Sequence, residues 1–389
     1  MQEGRKEETG ELRLEPKISV HEMLSEEERA VRKLFKKNLG YIDRFFFGLA
    51  FRDALKSTLK QQGGCLVAMY EGRVVGSVSL RILSCAGKRF GLIDAIVSDR
   101  GFRGRGVGKS LLEAALSWFE ERECEVIYAI ADRYNSPSWN MFIHKGFSIY
   151  EFREQLRDLG LNFIRLWFSE FYIVGFGTFF LKKASGDERP SEAGEAWHFL
   201  AAWLGLALLW WILAIRASES PVIIPLFFGI GGISLFAHEL AHKLAASRFG
   251  LKTTFKVWDS GLLFSSLLAV VFGAFFPAYG STYIKQADWR YDFGPRKMGL
   301  IYAAGPTISL ALAISFWALL SFASNELLVA AARVGYETNL IFVILNLIPI
   351  QAAGGPAAWD GRKIFAWNKI IWALLTMGIA LLILTDSLF

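Results

Sequence analysis

The stretch "SLFAHELAHKLAASRFG", residues 234–250, sets His238, Glu239 and His242 inside a run apolar enough to sit in a membrane. On a helix, residues four apart share a face, so both imidazoles project the same way and can hold one metal ion. Glu239 stands one residue round, near enough to reach a water beside that ion but poorly placed to be a ligand. Ionisable side chains at membrane depth are costly unless they have a partner or a task, which argues against accident. A second stretch, "SDRGFRGRGVGKSLL" at 98–112, is glycine-rich, basic and soluble in character.

The two stretches lie in different halves of a 389-residue chain. Through about Lys183 the sequence is charge-rich, with apolar runs broken every few residues. After Trp197 it becomes long apolar blocks with sparse charges. The join "KKASGDERPSEAGEA" (182–196) is small and polar and reads as a linker. We therefore expect a soluble domain at 1–183, a linker at 184–196 and a membrane domain at 197–389. Cys65, Cys85 and Cys124 all fall in the soluble half; an odd count offers no disulfide framework and fits a reducing compartment. The N-terminus has no apolar core of a signal peptide. The net charge of +6 comes from basic residues clustered between apolar blocks, a pattern of membrane-protein loops rather than of nucleic-acid binding.

In the soluble half, "CLVAMYEGRVVGSVSLRIL" (65–83) predicts a β-hairpin around "YEGR", and "FGLIDAIVS" (90–98) a further strand. A helix follows over 106–122, then strand 125–131, a short helix over 136–147 and the strand "FSIYEF". Between strand and helix, Arg103, Gly104, Arg105, Gly106, Val107, Gly108 and Lys109 form a turn whose glycines let backbone N–H groups approach a ligand. The following helix presents its positive end, so the turn suits a pyrophosphate.

This turn, with Asn135 and "HKGF" downstream, resembles the GNAT family of acetyl-coenzyme A-dependent N-acetyltransferases over roughly residues 17–183. The resemblance implies an α/β domain with a mixed sheet flanked by helices. It also implies that loop 103–109 holds the cofactor pyrophosphate, that Ile96 and Val97 pair with the pantetheine arm through their backbone, and that Asn135 lies near the cofactor. Where many members carry a tyrosine general acid this chain has Phe142, which cannot protonate a leaving thiolate. Asp94 is the first acid–base candidate in its place, with Tyr134 and His144 as weaker ones. The aromatic segment 161–181, interrupted by Arg165 and Glu170, reads as a closing strand pair with some surface touching the bilayer.

Apolar blocks in the second half fall at 197–215, 221–245, 261–277, 299–321, 327–349 and 364–385. Most approach the roughly 20 residues that span a bilayer, and 261–277 falls short. Zinc bound by two histidines wants a third ligand and an open position. Asp360 in "WDGRKI" is the candidate. Glu337 is the fallback, although Arg333 four residues before it favours a structural ion pair. The pentad HELAH, "AGP" (304–306), "NLIP" (346–349) and "DG" (360–361), in this order, resemble the site-2 protease family of intramembrane zinc metalloproteases. The match covers about residues 221–370. It implies His238, His242 and Asp360 on zinc, Glu239 as general base and Asn346 near the substrate peptide. One departure is the long run "IQAAGGPAAW" between "NLIP" and "DG".

The expected protein is thus an intramembrane zinc protease with an all-α polytopic membrane domain, acting on transmembrane helices of membrane-protein substrates. It carries a module that binds acetyl-coenzyme A, with acetyl transfer or regulation of cleavage as that module's role. The alternative is a membrane-anchored N-acetyltransferase on a non-proteolytic scaffold. Because acetyl-coenzyme A is cytosolic, the N-terminal domain should face the cytosol from a multi-pass position in the cell membrane. With HELAH and Asn346 at one depth, parity forbids 261–277 from crossing and makes it re-entrant or interfacial.

Overall fold

The computed structural model describes residues 18–38, 63–85, 88–170, 172–184, 193–218, 223–276, 278–285, 294–349 and 359–386. Most of the linker 184–196 and of the run before Asp360 lies outside them. The chain divides into two compact units, one formed by residues 1–39 and 49–125, the other by 40–48 and 126–389.

In the first unit, β1 (Ser19–Glu22), β2 (Gly63–Tyr70), β3 (Arg73–Cys85) and β4 (Lys88–Ser98) pair in sequence order, each antiparallel to the last. The β2–β3 turn uses Glu71 and Gly72, both at positive φ, which matches the hairpin expected around "YEGR". Helix α1 (Glu28–Asn38) buries Val31, Leu34 and Phe35, spaced three and four apart. Helix α2 (Val107–Glu120) buries Val107, Leu111, Leu112, Ala115, Trp118 and Phe119 at the same helical period. Burial of each such large side chain contributes about 1.5–3 kcal/mol, so this face anchors the helix.

The second unit begins with β5 (Val126–Asp132), followed by α3 (Ser136–His144) and β6 (Ser148–Ile149). Helices α4 (Phe152–Leu159) and α5 (Asn162–Ser169) come next, and then β7 (Thr178–Ala184), which pairs antiparallel with both β5 and β6. β5, β7 and β6 lie side by side in that order, and strands with flanking helices in each unit make the fold α/β. The aromatic segment 161–181 is not the strand pair expected from its composition. Phe163, Leu166 and Trp167 recur at helical spacing and are buried, so α5 forms there, and β7 alone is extended. The Trp167 indole donates to Gln155 Oε1, whose amide in turn donates to Tyr150 O at 2.7 Å, closing the polar ends of this aromatic cluster.

Among the described residues, five helices are long and apolar enough to cross a membrane: α6 (Glu195–Ala217), α7 (Ile223–Ser247), α9 (Pro295–Leu320), α10 (Glu326–Asn346) and α12 (Lys369–Asp386). Between α7 and α9 lie β8 (Thr253–Val257), α8 (Asp259–Phe272) and β9 (Gly280–Ile284), with β8 and β9 forming an antiparallel hairpin. The fourteen residues of α8 reach about 21 Å, short of a hydrocarbon core of about 30 Å. The chain then returns alongside α8, where Ala278 N donates to Ser265 Oγ at 3.2 Å. Helix α6 opens at Glu195, two residues before the domain boundary expected from hydropathy. Helix α11 (Asp360–Trp367) precedes α12.

The sequence offers no sign of contact between residues 126–184 and the apolar helices, yet the two parts are packed together. Phe176 stacks on Trp258 with ring centroids 6.4 Å apart, and Phe179 meets Tyr283 edge-on at 5.2 Å. Glu151 Oε1 forms an ion pair with Lys256 Nζ at 2.7 Å and lies 3.4 Å from His198 Nε2. Burial would raise the Glu151 pKa, but the His198 ring and the Lys256 ammonium outweigh it and hold the carboxyl at about 2.

Candidate metal centre and cofactor loop

Helix α7 buries His238, Glu239 and His242, the last two turns of its apolar run. His238 Nδ1 lies 2.9 Å from Ser309 Oγ, and His242 Nδ1 bonds to Ile301 O at 2.8 Å, both partners being on α9. Fixing Nδ1 of each ring turns both Nε2 atoms inward, where they stand 3.2 Å apart. Asp360, at the start of α11, brings Oδ2 to 3.1 Å from His242 Nε2 and 3.6 Å from His238 Nε2. One ligand atom from each of the three residues lies within 4.8 Å of the others.

Two glycines make this convergence possible. A Cβ on Gly305 would fall 2.3 Å from His242 Nε2 and 2.6 Å from His238 Nε2, so only glycine leaves the space facing the imidazoles open. A Cβ on Gly361 would fall 2.3 Å from Leu347 O, so the "DG" turn packs directly on the end of α10. The longer run before Asp360 therefore still ends beside "NLIP". Glu337 is outside the His–His–Asp group among the described residues. Glu239 is buried, and its Oε2 accepts the Thr282 N–H of β9 at 2.9 Å. Asn346 closes α10 half-buried, its amide donating to Phe342 O at 3.0 Å.

In the first unit, Gly104 and Gly106 adopt φ of 76° and 84°, a region that L residues with side chains enter at a cost. Gly106 caps α2, so the N–H groups of Val107, Gly108 and Lys109 open the helix without partners inside it. Arg103, Arg105 and Lys109 are exposed around that end, while Val107 is buried. Asp99, just before this loop, accepts the Gly101 N–H at 3.0 Å and pairs with Lys37 and Arg73. The Gly101 bond chiefly, helped by the two cations, lowers its pKa. On β4, Val97 is buried and Ile96 half-buried, and the ladder with β3 slips between Ser79 and Leu80, leaving Asp94 as the extra residue of a bulge. Asn135, in the second unit, precedes α3, and its buried Oδ1 has no hydrogen-bond partner among the described residues.

Two of the three acid–base candidates are already engaged. Asp94 is clamped by Arg81, with Nε and Nη2 donating at 2.5–2.9 Å, and by Ser79 Oγ at 3.3 Å. Tyr134 is turned to Ser281 Oγ at 2.5 Å, and burial raises its pKa. His144 is exposed at the end of α3. Phe142 is a core residue, edge-on to Phe147. Sequence reasoning missed Ser309, Ile301, Thr282 and Lys363 as neighbours of the metal site. Only Lys363, three residues after Asp360 on one helix face, left a local signal.

Residues 23–147 match the model of the Acetyltransferase (GNAT) family. A protein of Methanocaldococcus jannaschii, named provisionally as a zinc metalloprotease, is 35% identical over 144 residues, which are 37% of this chain and 70% of that protein. This chain belongs to the family of that archaeal protein. The chain carries a GNAT-family domain and, later in the sequence, a membrane domain with five long apolar helices among the described residues. Similar solved structures include Naa50 of Arabidopsis thaliana bound to a bisubstrate analogue, at 18% identity, covering 43% of this chain and 99% of that one, with a TM-score of 0.30. A ribosomal-protein-alanine N-acetyltransferase of Brucella melitensis is 16% identical over the same shares, with a TM-score of 0.31.

Proposed function

We propose that the chain is an intramembrane zinc metalloprotease of site-2-protease type whose N-terminal domain binds acetyl-coenzyme A on the cytosolic side. The convergence of His238 Nε2, His242 Nε2 and Asp360 Oδ2 beside Glu239 carries this reading. The donor set fits zinc: two imidazoles with Nδ1 occupied by second partners, one carboxylate oxygen, and an open face at Gly305. When bound, zinc supplies a Lewis acid that polarises a peptide carbonyl and acidifies water.

The remaining chemistry falls to the chain's own side chains. Thr282 N–H holds one Glu239 oxygen, and the other is left to take a proton from the attacking water and return it to the departing amine. The Asn346 amide, at the end of α10, is of a kind suited to donate to a substrate carbonyl. The buried site requires a transmembrane substrate to unwind locally, so helix-weakening residues near the cut are expected. In the GNAT-family domain, loop 103–109 would hold the pyrophosphate, Ile96 and Val97 the pantetheine arm, and Asn135 the cofactor's neighbourhood.

The second reading, a membrane-anchored acetyltransferase on an inert scaffold, is disfavoured by the engaged state of Asp94 and Tyr134 and by Phe142 in the core. Regulation of cleavage by acetyl-coenzyme A fits the domain better than acetyl transfer. The experiment is metal analysis and cleavage of a transmembrane substrate by wild type and Glu239→Gln in liposomes, with and without acetyl-coenzyme A. Zinc in both proteins and cleavage only in wild type supports the protease. Acetylation by a protein that neither holds zinc nor cleaves supports the alternative.

A further inference from the structure

Lys363 is buried beside the metal site, yet its Nζ has no hydrogen-bond partner among the described residues. It stands 3.3 Å from the ring centroid of Tyr302 and 3.7 Å from that of Tyr134, with the two rings 77° apart in plane. The nearest carboxylate among the described residues is Asp360, whose Oδ1 lies 3.9 Å away while Oδ2 faces the histidines; Asp132 and Glu239 add their negative charge from farther off. A buried ammonium without hydrogen bonds keeps its place only if aromatic faces and a counter-charge hold it. One of those two faces comes from Tyr134, in the turn between β5 and α3, next to Asn135.

The same tyrosine reaches the other side of the site. Its hydroxyl is 2.5 Å from Ser281 Oγ on β9, and the next residue, Thr282, holds Glu239. Four hydrogen bonds tie down the turn that carries it. Tyr134 N donates to Asp132 Oδ1 at 2.9 Å, Arg133 Nε donates to Thr178 O and Nη1 to Lys256 O, each at 3.0 Å, and the Trp139 indole donates to Arg133 O.

We propose that Tyr134 is a positioning residue of the metal centre: its ring completes the cage of Lys363, which orients Asp360 toward zinc. The N-terminal half of the polypeptide thereby contributes a wall of the protease site, and the site is incomplete without it. Tyr134 does not touch the metal or the substrate; it acts through Lys363. The inference rests on the zinc-protease reading given above.

The test uses the full chain, purified in detergent, and measures its zinc dissociation constant by chelator competition, together with the visible spectrum of the cobalt(II)-substituted protein. Tyr134→Leu keeps apolar bulk but removes the π face, and should weaken zinc binding about tenfold, the low end for loss of an outer-shell partner. Tyr134→Phe keeps the face and should stay within about twofold of wild type. Lys363→Met should weaken binding as Tyr134→Leu does, and combining the two should add nothing further. Replacing Tyr134 with phenylalanines of increasing fluorination preserves shape and drains the ring face, so it reads the interaction even if the leucine variant fails to fold. Zinc affinity should fall step by step, and the cobalt spectrum should shift as the carboxylate ligand loosens. A flat fluorination series on a zinc-binding wild type would overturn the role of Tyr134 and leave the protease standing. A wild type that takes up no zinc would overturn both.

Discussion

The Arg133 guanidinium donates to the main-chain carbonyl of Lys256, 3.0 Å away, tying the end of β5 to strand β8. A second bond from Nε to Thr178 O satisfies the same buried group, which lies 4.9 Å from the centre of the Phe179 ring. Removing the cation leaves two buried carbonyls without their donors. Arg133→Met should therefore cost the full-length protein about 2–4 kcal/mol, read as a lowered Tm and a lower denaturant midpoint. An unchanged melt would mean that this joint does not contribute to stability.

Glu151 supplies a pH-dependent part of the same joint. Its folded pKa of about 2 lies below the ordinary value of 4.5, so its ionised form stabilises the fold. That contribution is fully present above pH 4.5 and disappears as pH falls toward 2. Glu151→Gln should thus be less stable than wild type at pH 7, by about 3 kcal/mol for loss of a buried ion pair's anion. The gap between the two proteins should close as melts are repeated from pH 4.5 downward. A gap that does not depend on pH would show that the carboxylate's charge is not what matters.

The cofactor loop makes a separate prediction. Gly106 sits at φ 84° at the head of α2, with open space where a Cβ would stand. Gly106→Glu places a strained backbone and a negative charge where the pyrophosphate is expected. Calorimetry should find acetyl-coenzyme A binding in wild type and at least a tenfold loss in the variant, about 1.4 kcal/mol. Equal affinity would move the phosphate site away from loop 103–109.

Much of this architecture could be read from local pattern. The HELAH pentad fixes its own geometry, because helix periodicity alone puts two imidazoles on one face. The hairpin at 65–83 and the turn at 103–109 were legible for the same reason: their signals are adjacent residues. Asp360 could be nominated only from the order of motifs, since the packing of Gly361 on Leu347 is a long-range fact. The segment 161–181 misled through composition. Its aromatic content favours strands, while the spacing of Phe163, Leu166 and Trp167 carried the helix. Tyr134 and Arg133 gave no hint of their partners, because a turn residue's contacts across the fold leave no periodicity in sequence.

The third metal ligand can be isolated by substitution. Asp360→Ala removes the carboxylate within reach of both Nε2 atoms and should sharply reduce zinc per chain by elemental analysis. Glu337→Ala should leave zinc near the wild-type level. The reverse pattern would transfer the ligand role to Glu337.

The most direct test of the central claim is cleavage of a transmembrane substrate in liposomes by wild type and Glu239→Gln, with zinc measured in the same samples. The account predicts about one zinc per chain in both, a cut within the substrate's membrane segment for wild type, and no cut for the variant. Equal cleavage by the variant, or a wild type that binds zinc and leaves every such substrate intact, would contradict it.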